Sequence, residues 1–173
     1  MDDLVLTVIA ADKPGVVERI AQCIAIHEGN WLESRMARMA GQFAGILRVA
    51  VPADSAEALK AALQALSEQG IRVLVAQSGQ GQAAEARTIV MKLVGNDRPG
   101  IVRDITRVLA EQGVNVEGLS TDVLPAPMSS ESLFHADATL AVPVGLTLEA
   151  LQTSLETLAD DLIVELSSPE PAV

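Results

Sequence analysis

A chain of 173 residues and 18.1 kDa has room for one ordinary domain or two small ones, and it needs no staple to hold a core. Hydrophobic residues at 49% against 20% charged argue against disorder, and no apolar run reaches the ~18 residues of a membrane span. The formal charge of -11, with one Trp, two Phe and no Tyr, argues against direct nucleic-acid binding and against anionic membranes, because phosphates are repelled and bases find little to stack on.

Asp2 and Asp3 precede the first apolar run, the reverse of the basic start of a secretory signal. Leu4 to Ala10 then reads as a strand inside a sheet, and the turn Asp12-Lys13-Pro14-Gly15 leads into a helix. Its apolar positions Val16, Ile20 and Cys23 recur at i, i+4, i+7, and Gly29 is expected to end it. Strands follow at Asn30 to Ala40 and Phe43 to Val51, joined by a tight Gly41-Gln42 hairpin. Leu59, Leu63 and Leu66 mark a second helix, and Arg72 to Ala76 a closing strand.

From Thr88 the same order begins again. Shifting the sequence by 85 lays Asp97-Arg98-Pro99-Gly100 on the first turn and Asn115 on Asn30, with seven identities over positions 8 to 30. Strands at Thr88 to Val94, Val114 to Leu124, Leu133 to Val142 and Leu162 to Leu166 alternate with helices marked by Ile101, Ile105, Val108 and by Leu148, Leu151, Leu155, Leu158. Gly113 is expected to end the first of these helices. Pro52 matches Pro143 at an offset of 91, so six extra residues fall around Leu124 to Ser132.

The reading is therefore α+β: two ferredoxin-like βαββαβ domains at 1–78 and 87–167, a linker at 79–86 without large apolar side chains, and a flexible tail at 168–173. The hairpin and the strand order argue against one doubly wound domain. If Leu4, Leu6 and Val8 face the helices, then Val5, Thr7 and Ile9 face away, as do Val90, Lys92 and Val94, and pairing or dimerisation is expected to cover part of that surface.

In each D-x-P-G turn, backbone N–H groups stand at a helix start, where the dipole favours a carboxylate. Asn30 and Asn115, read as entering the next strand beside the same corner, offer an amide that both donates and accepts. The competing reading is that Pro and Gly merely start a helix. Cys23 and His27 are four apart, but no acidic cluster completes a metal set, so no metal is expected. Gly79-Gln80-Gly81 matches no phosphate loop, and Ser34 and Ser120 lack a base and its orienting acid, so no catalytic residue is expected.

The repeated D-[KR]-P-G turn, the following Asn and the element order resemble the ACT domain. The segments Gly29 to Gly45 and Leu133 to Pro143 resemble, more narrowly, the tandem-ACT family of glycine cleavage system transcriptional repressors. The resemblance implies a cytoplasmic, non-catalytic regulator without cofactor that senses glycine or a similar small amino acid and acts through a LysR-type activator protein instead of DNA, as a homo-oligomer. Its ligand corners would fall on Asp12, Lys13, Pro14, Gly15 and Asn30, and on Asp97, Arg98, Pro99, Gly100 and Asn115. Asp12 and Asp97 depart from relatives with an amide in this turn, since a carboxylate suits an ammonium and opposes a carboxylate. The alternative is an interaction module with degenerate pockets.

Overall fold

The computed structural model describes residues 1–79, 85–128 and 130–169. Of the expected linker, residues 80–84 lie outside the described residues, as do 170–173 of the tail. The chain divides into two compact units within the 79–86 stretch, each with its own apolar core.

The first unit runs β1 (Asp2–Ala11), α1 (Val16–Ile26), β2 (Asn30–Met39), β3 (Gln42–Val51), α2 (Ala53–Ala65), a short 3-10 turn (Leu66–Gln69) and β4 (Ile71–Gln77). The second repeats it with β5 (Ala86–Asn96), α3 (Ile101–Glu111), β6 (Asn115–Pro125), β7 (Ser132–Pro143), α4 (Leu148–Glu156) and β8 (Ile163–Ser167). Each sheet is antiparallel, in the orders β2-β3-β1-β4 and β6-β7-β5-β8. Each unit is thus a ferredoxin-like α+β layer pair, as the element order implied.

Period-2 alternation sets the sidedness of the central strands. Leu4, Leu6 and Val8 are fully buried against α1 and α2, while Thr7 and Ile9 are exposed on the opposite face. Ile89, Met91 and Leu93 do the same in the second unit, and Lys92 stays in solvent. Registers repeat as well: Leu4 pairs with Val49, and Ile89 with Leu140. The extra residues lie in the β6–β7 connection, where the Ala126 amide donates to the Glu131 carbonyl at 3.0 Å.

Two local expectations are corrected. The buried helix positions are Val16, Ile20, Ile24 and Ile101, Ile105, Leu109, whereas Cys23 and Val108 are half-buried flankers. The core stripe therefore follows i, i+4, i+8, close to two full turns. Gly29 does not hold the left-handed position after α1: Glu28 does, with φ 62, at the place where the second unit has Gly113 with φ 74. Gly29 serves close approach instead, because a Cβ there would stand 2.8 Å from Ile24 Cγ2 and 3.0 Å from its carbonyl oxygen.

Candidate functional site

β1 delivers the chain to the first corner, where the Asp12 amide donates to the Gly41 carbonyl at 3.0 Å and ties the turn to the β2–β3 hairpin. Gly15 adopts φ 97 as the N-cap of α1, and no side chain caps the helix. The N–H groups of its first turn, which have no partner within a helix, are thereby available to an incoming anion. A Cβ on Gly15 would meet nothing within 4 Å, so glycine is needed here for its left-handed φ and not for space. Asp12, Lys13, Gly15, Val16, Val17, Glu18 and Phe43 line an open hollow of about 190 Å³. The Asp12 carboxylate reaches Arg38 at 3.6 Å in an exposed pair that contributes little to stability.

The second corner has the same backbone and different charges. The Asp97 amide donates to the Ser132 carbonyl at 2.9 Å, and Gly100 has φ 83 as the N-cap of α3. Here Arg98 Nη1 donates to Asp104 Oδ2 at 2.9 Å and Arg103 Nε to Asp104 Oδ1 at 3.3 Å. The Arg98 hydrogen bond, helped by Arg103 and opposed by partial desolvation, holds the Asp104 carboxyl below the usual aspartate range. The Arg103 guanidinium lies over Gly100, 3.1 Å from where a Cβ would stand. The Ile101 amide is also taken, by the Arg98 carbonyl at 3.3 Å. The cations of this corner are thus held by the α3 helix itself.

Asn30 and Asn115 are not beside these corners. Asn30 pairs with Ala50, which pairs with Asp3, so it stands at the start of β1 and not at its end. Asn115 pairs with Ala141 and so with Thr88 in the same way. Eight to nine residues of strand, roughly 25–30 Å, separate each asparagine from the D-x-P-G turn of its own unit. The cause is topological: the helix between β1 and β2 carries the chain back along the sheet, so that the two strands start at the same end.

The other candidates have structural partners. His27 Nδ1 is 2.8 Å from the Cys23 carbonyl, and burial pushes the Cys23 thiol up from its ordinary pKa. Among the described residues no group of three or more His, Cys, Asp or Glu could hold a metal ion. Ser120 lies across the strand from Asp137 and Asp122 from His135, and among the described residues neither pair of side chains is hydrogen-bonded. No helix is long and apolar enough to cross a membrane among the described residues. Missed from the sequence were Phe43, Arg38 and Asp104. Phe43 carried a signal, since the only two phenylalanines, Phe43 and Phe134, sit at the 91-residue offset.

Comparison with known proteins agrees with this architecture. The ACT domain family matches residues 2–75 and again 83–160. A UPF0237 protein of Methanopyrus kandleri is 42% identical over 79 residues, covering 44% of this chain and 83% of that protein. A crystal structure of a protein from Galdieria sulphuraria, described as unknown, is 26% identical with a TM-score of 0.84 over 98% of this chain and 99% of its own. A proposed glycine cleavage system transcriptional repressor superposes with a TM-score of 0.70 at 18% identity, over 97% and 98% of the two chains, a likeness of fold.

Proposed function

The chain belongs to the ACT-domain family, in two tandem copies, and from that premise we propose that it is a non-catalytic, cytoplasmic regulator whose first corner binds glycine or a similarly small amino acid. The observation that carries this reading is the uncapped start of α1 at Gly15, opening on a hollow that also holds Lys13, Asp12 and Glu18. Free helix N–H groups and the Lys13 ammonium suit a carboxylate, while the two acids suit an ammonium, so both ends of a zwitterion find opposite charge. Controlling the glycine cleavage system through a LysR-type protein partner belongs to the same proposal. It is supported by the fold shared with the proposed repressor and by a charge of -11 that disfavours direct contact with DNA.

A ligand with so few atoms has a ceiling of roughly 1.5 kcal/mol per heavy atom, which sets its affinity near micromolar. Its signal is then a modest shift, about 1–3 kcal/mol, between packing states that already exist. The asparagines lie at the far end of the sheet, so neither corner shares a site with the asparagine of its own unit. The second corner, closed by Arg98 and Asp104, favours a structural or interaction role for the second copy. Isothermal calorimetry against each proteinogenic amino acid tests the proposal: saturable binding of a small amino acid, weakened in Lys13→Ala, is expected. No heat with any of them would leave an interaction module as the reading.

A further inference from the structure

The open face of the first sheet holds a hollow of about 200 Å³, built by the first unit alone and lined by other residues than the D-x-P-G corner. Val5, Arg48 and Glu33 are cross-strand neighbours in one row, Ile46 and Arg35 in the next, and all five line it. Arg48 is held on two sides: its Nη1 donates to Asp3 Oδ2 at 3.3 Å, and its Nε, shut off from water, stands 3.2 Å from Glu33 Oε1. Arg48 is thus a fixed wall. Arg35, exposed on β2, makes no ion pair among the described residues. The second unit keeps only the valine of this set, as Val90, and has Thr139, Gly118, Asp137 and Ser120 at the other four places. The shared frame therefore requires neither arginine, nor Glu33, nor Ile46.

We propose that this hollow binds a short aliphatic monocarboxylate, with Arg35 taking the carboxylate and Val5 and Ile46 the apolar body. Two guanidiniums and one carboxylate line it, and that carboxylate, Glu33, already leans on Arg48, so the unmatched charge is the Arg35 cation. A guanidinium offers a carboxylate two parallel N–H donors. The chain's -11 repels anions at a distance, and only such a local cation overcomes that. A second negative group on the ligand would meet Glu33, which restricts the ligand to one charge. An amino group would find Glu33 engaged and would lose its hydration without a new partner, so a carboxylate without an amine is preferred to the amino acid of the same skeleton. Ile46, 48% exposed, supplies apolar surface for the ligand to cover. The volume falls below the roughly 300–1,000 Å³ of drug-sized sites and gives room for about seven water-sized groups, which 3-methylbutanoate matches.

Isothermal calorimetry and methyl NMR on the full chain test this with 3-methylbutanoate as the probe. Saturable binding of one molecule per chain is expected, with shifts in the Val5 and Ile46 methyl resonances. 3-Methylbutanamide, which keeps the shape without the charge, and valine, which adds the amine, are each expected to bind at least about tenfold more weakly. Arg35→Ser, the difference between the two units at this place, is expected to weaken the carboxylate at least about tenfold, and Lys13→Ala at the first corner to leave it unchanged. Should Arg35→Ser lose its melting transition, Arg35→Gln repeats the test. No saturable binding, as a face covered by protein would give, overturns the proposal. So does an amide or valine bound as tightly as the carboxylate, unchanged affinity in the Arg35 variant, or dependence on Lys13. Amino-acid binding at the first corner is read separately, by the effect of Lys13→Ala on glycine, so either site can fail without the other.

Discussion

Arg98 donates a 2.9 Å hydrogen bond to Asp104 across the first turn of α3, and at the same two places the first unit has Lys13 and Arg19, which carry like charge. The backbone of the two corners is repeated, with a left-handed glycine and an uncapped helix start in each. One exchange, Arg19 against Asp104, decides whether the corner cation is held by its own helix.

The Asp104 carboxyl titrates below its ordinary range because Arg98 and Arg103 favour its charged form. A lowered folded-state pKa contributes stability that is present above the unfolded value of about 3.9 and is lost as pH falls through the lower folded value. Asp104→Asn is therefore expected to lower the urea midpoint of the second unit at neutral pH and to reduce its further fall toward about pH 3. Equal acid sensitivity in the two proteins would remove the ion pair from the account.

If only the first corner binds, calorimetry should give one ligand per chain. Lys13→Ala is expected to weaken binding about tenfold, the loss of one charge-assisted hydrogen bond. Arg98→Ala, at the corner closed by Asp104, is expected to change it little. Two ligands per chain, or equal losses from both variants, would show that the Arg98–Asp104 pair opens.

Two non-glycine residues with positive φ mark places where the first unit is less stable than its backbone allows. Glu28 has φ 62, and Ala40 has φ 49 ahead of Gly41 at φ 80, the signs of a type I′ hairpin turn. Glu28→Gly and Ala40→Asn are each expected to stabilise that unit by about 0.5–1 kcal/mol, measured by urea denaturation. Glu28→Gly reproduces what Gly113 does in the second copy.

Gly45 and Gly95 differ in what a side chain would strike. A Cβ on Gly45 would stand 2.3 Å from the Arg35 carbonyl oxygen and 2.6 Å from Met36 Cα, both backbone atoms. On Gly95 it would meet Leu162 Cδ2, the movable end of a side chain, at 2.4 Å. Gly45→Ala is expected to cost about 2–3 kcal/mol, with Gly95→Ala well below it, in paired thermal melts.

The repeat made the element order legible, because seven identities at one offset bring the strands and helices of one copy onto the other. Alternation in Leu4 to Ile9 gave the sidedness of β1 for the same reason: period 2 is a property of the strand alone. What stayed hidden depends on relations between elements. The place of Asn30 follows from the path of α1 back along the sheet, and no local pattern encodes it. The phase of α1 favoured Ile24 over Cys23 by one residue, below what apolar spacing resolves. The Asp104 cluster was hidden differently: its charges lie within seven residues of each other, but scattered charges are common on helix surfaces and their convergence needs side-chain directions.

One irregularity is shared by the two sheets. Pairing with β3 skips Leu32, between Trp31 and Glu33, and pairing with β7 skips Glu117, between Val116 and Gly118. The skipped residue is surplus to the ladder, and the residues on either side keep opposite faces without it. Loss of that single codon would leave every later partner in β2 or β6 unchanged, whereas a one-residue slip of the ladder beyond it would turn Met36 outward and Arg35 toward the core. Each edge strand thus carries one position at which evolution can alter its length without altering its neighbours.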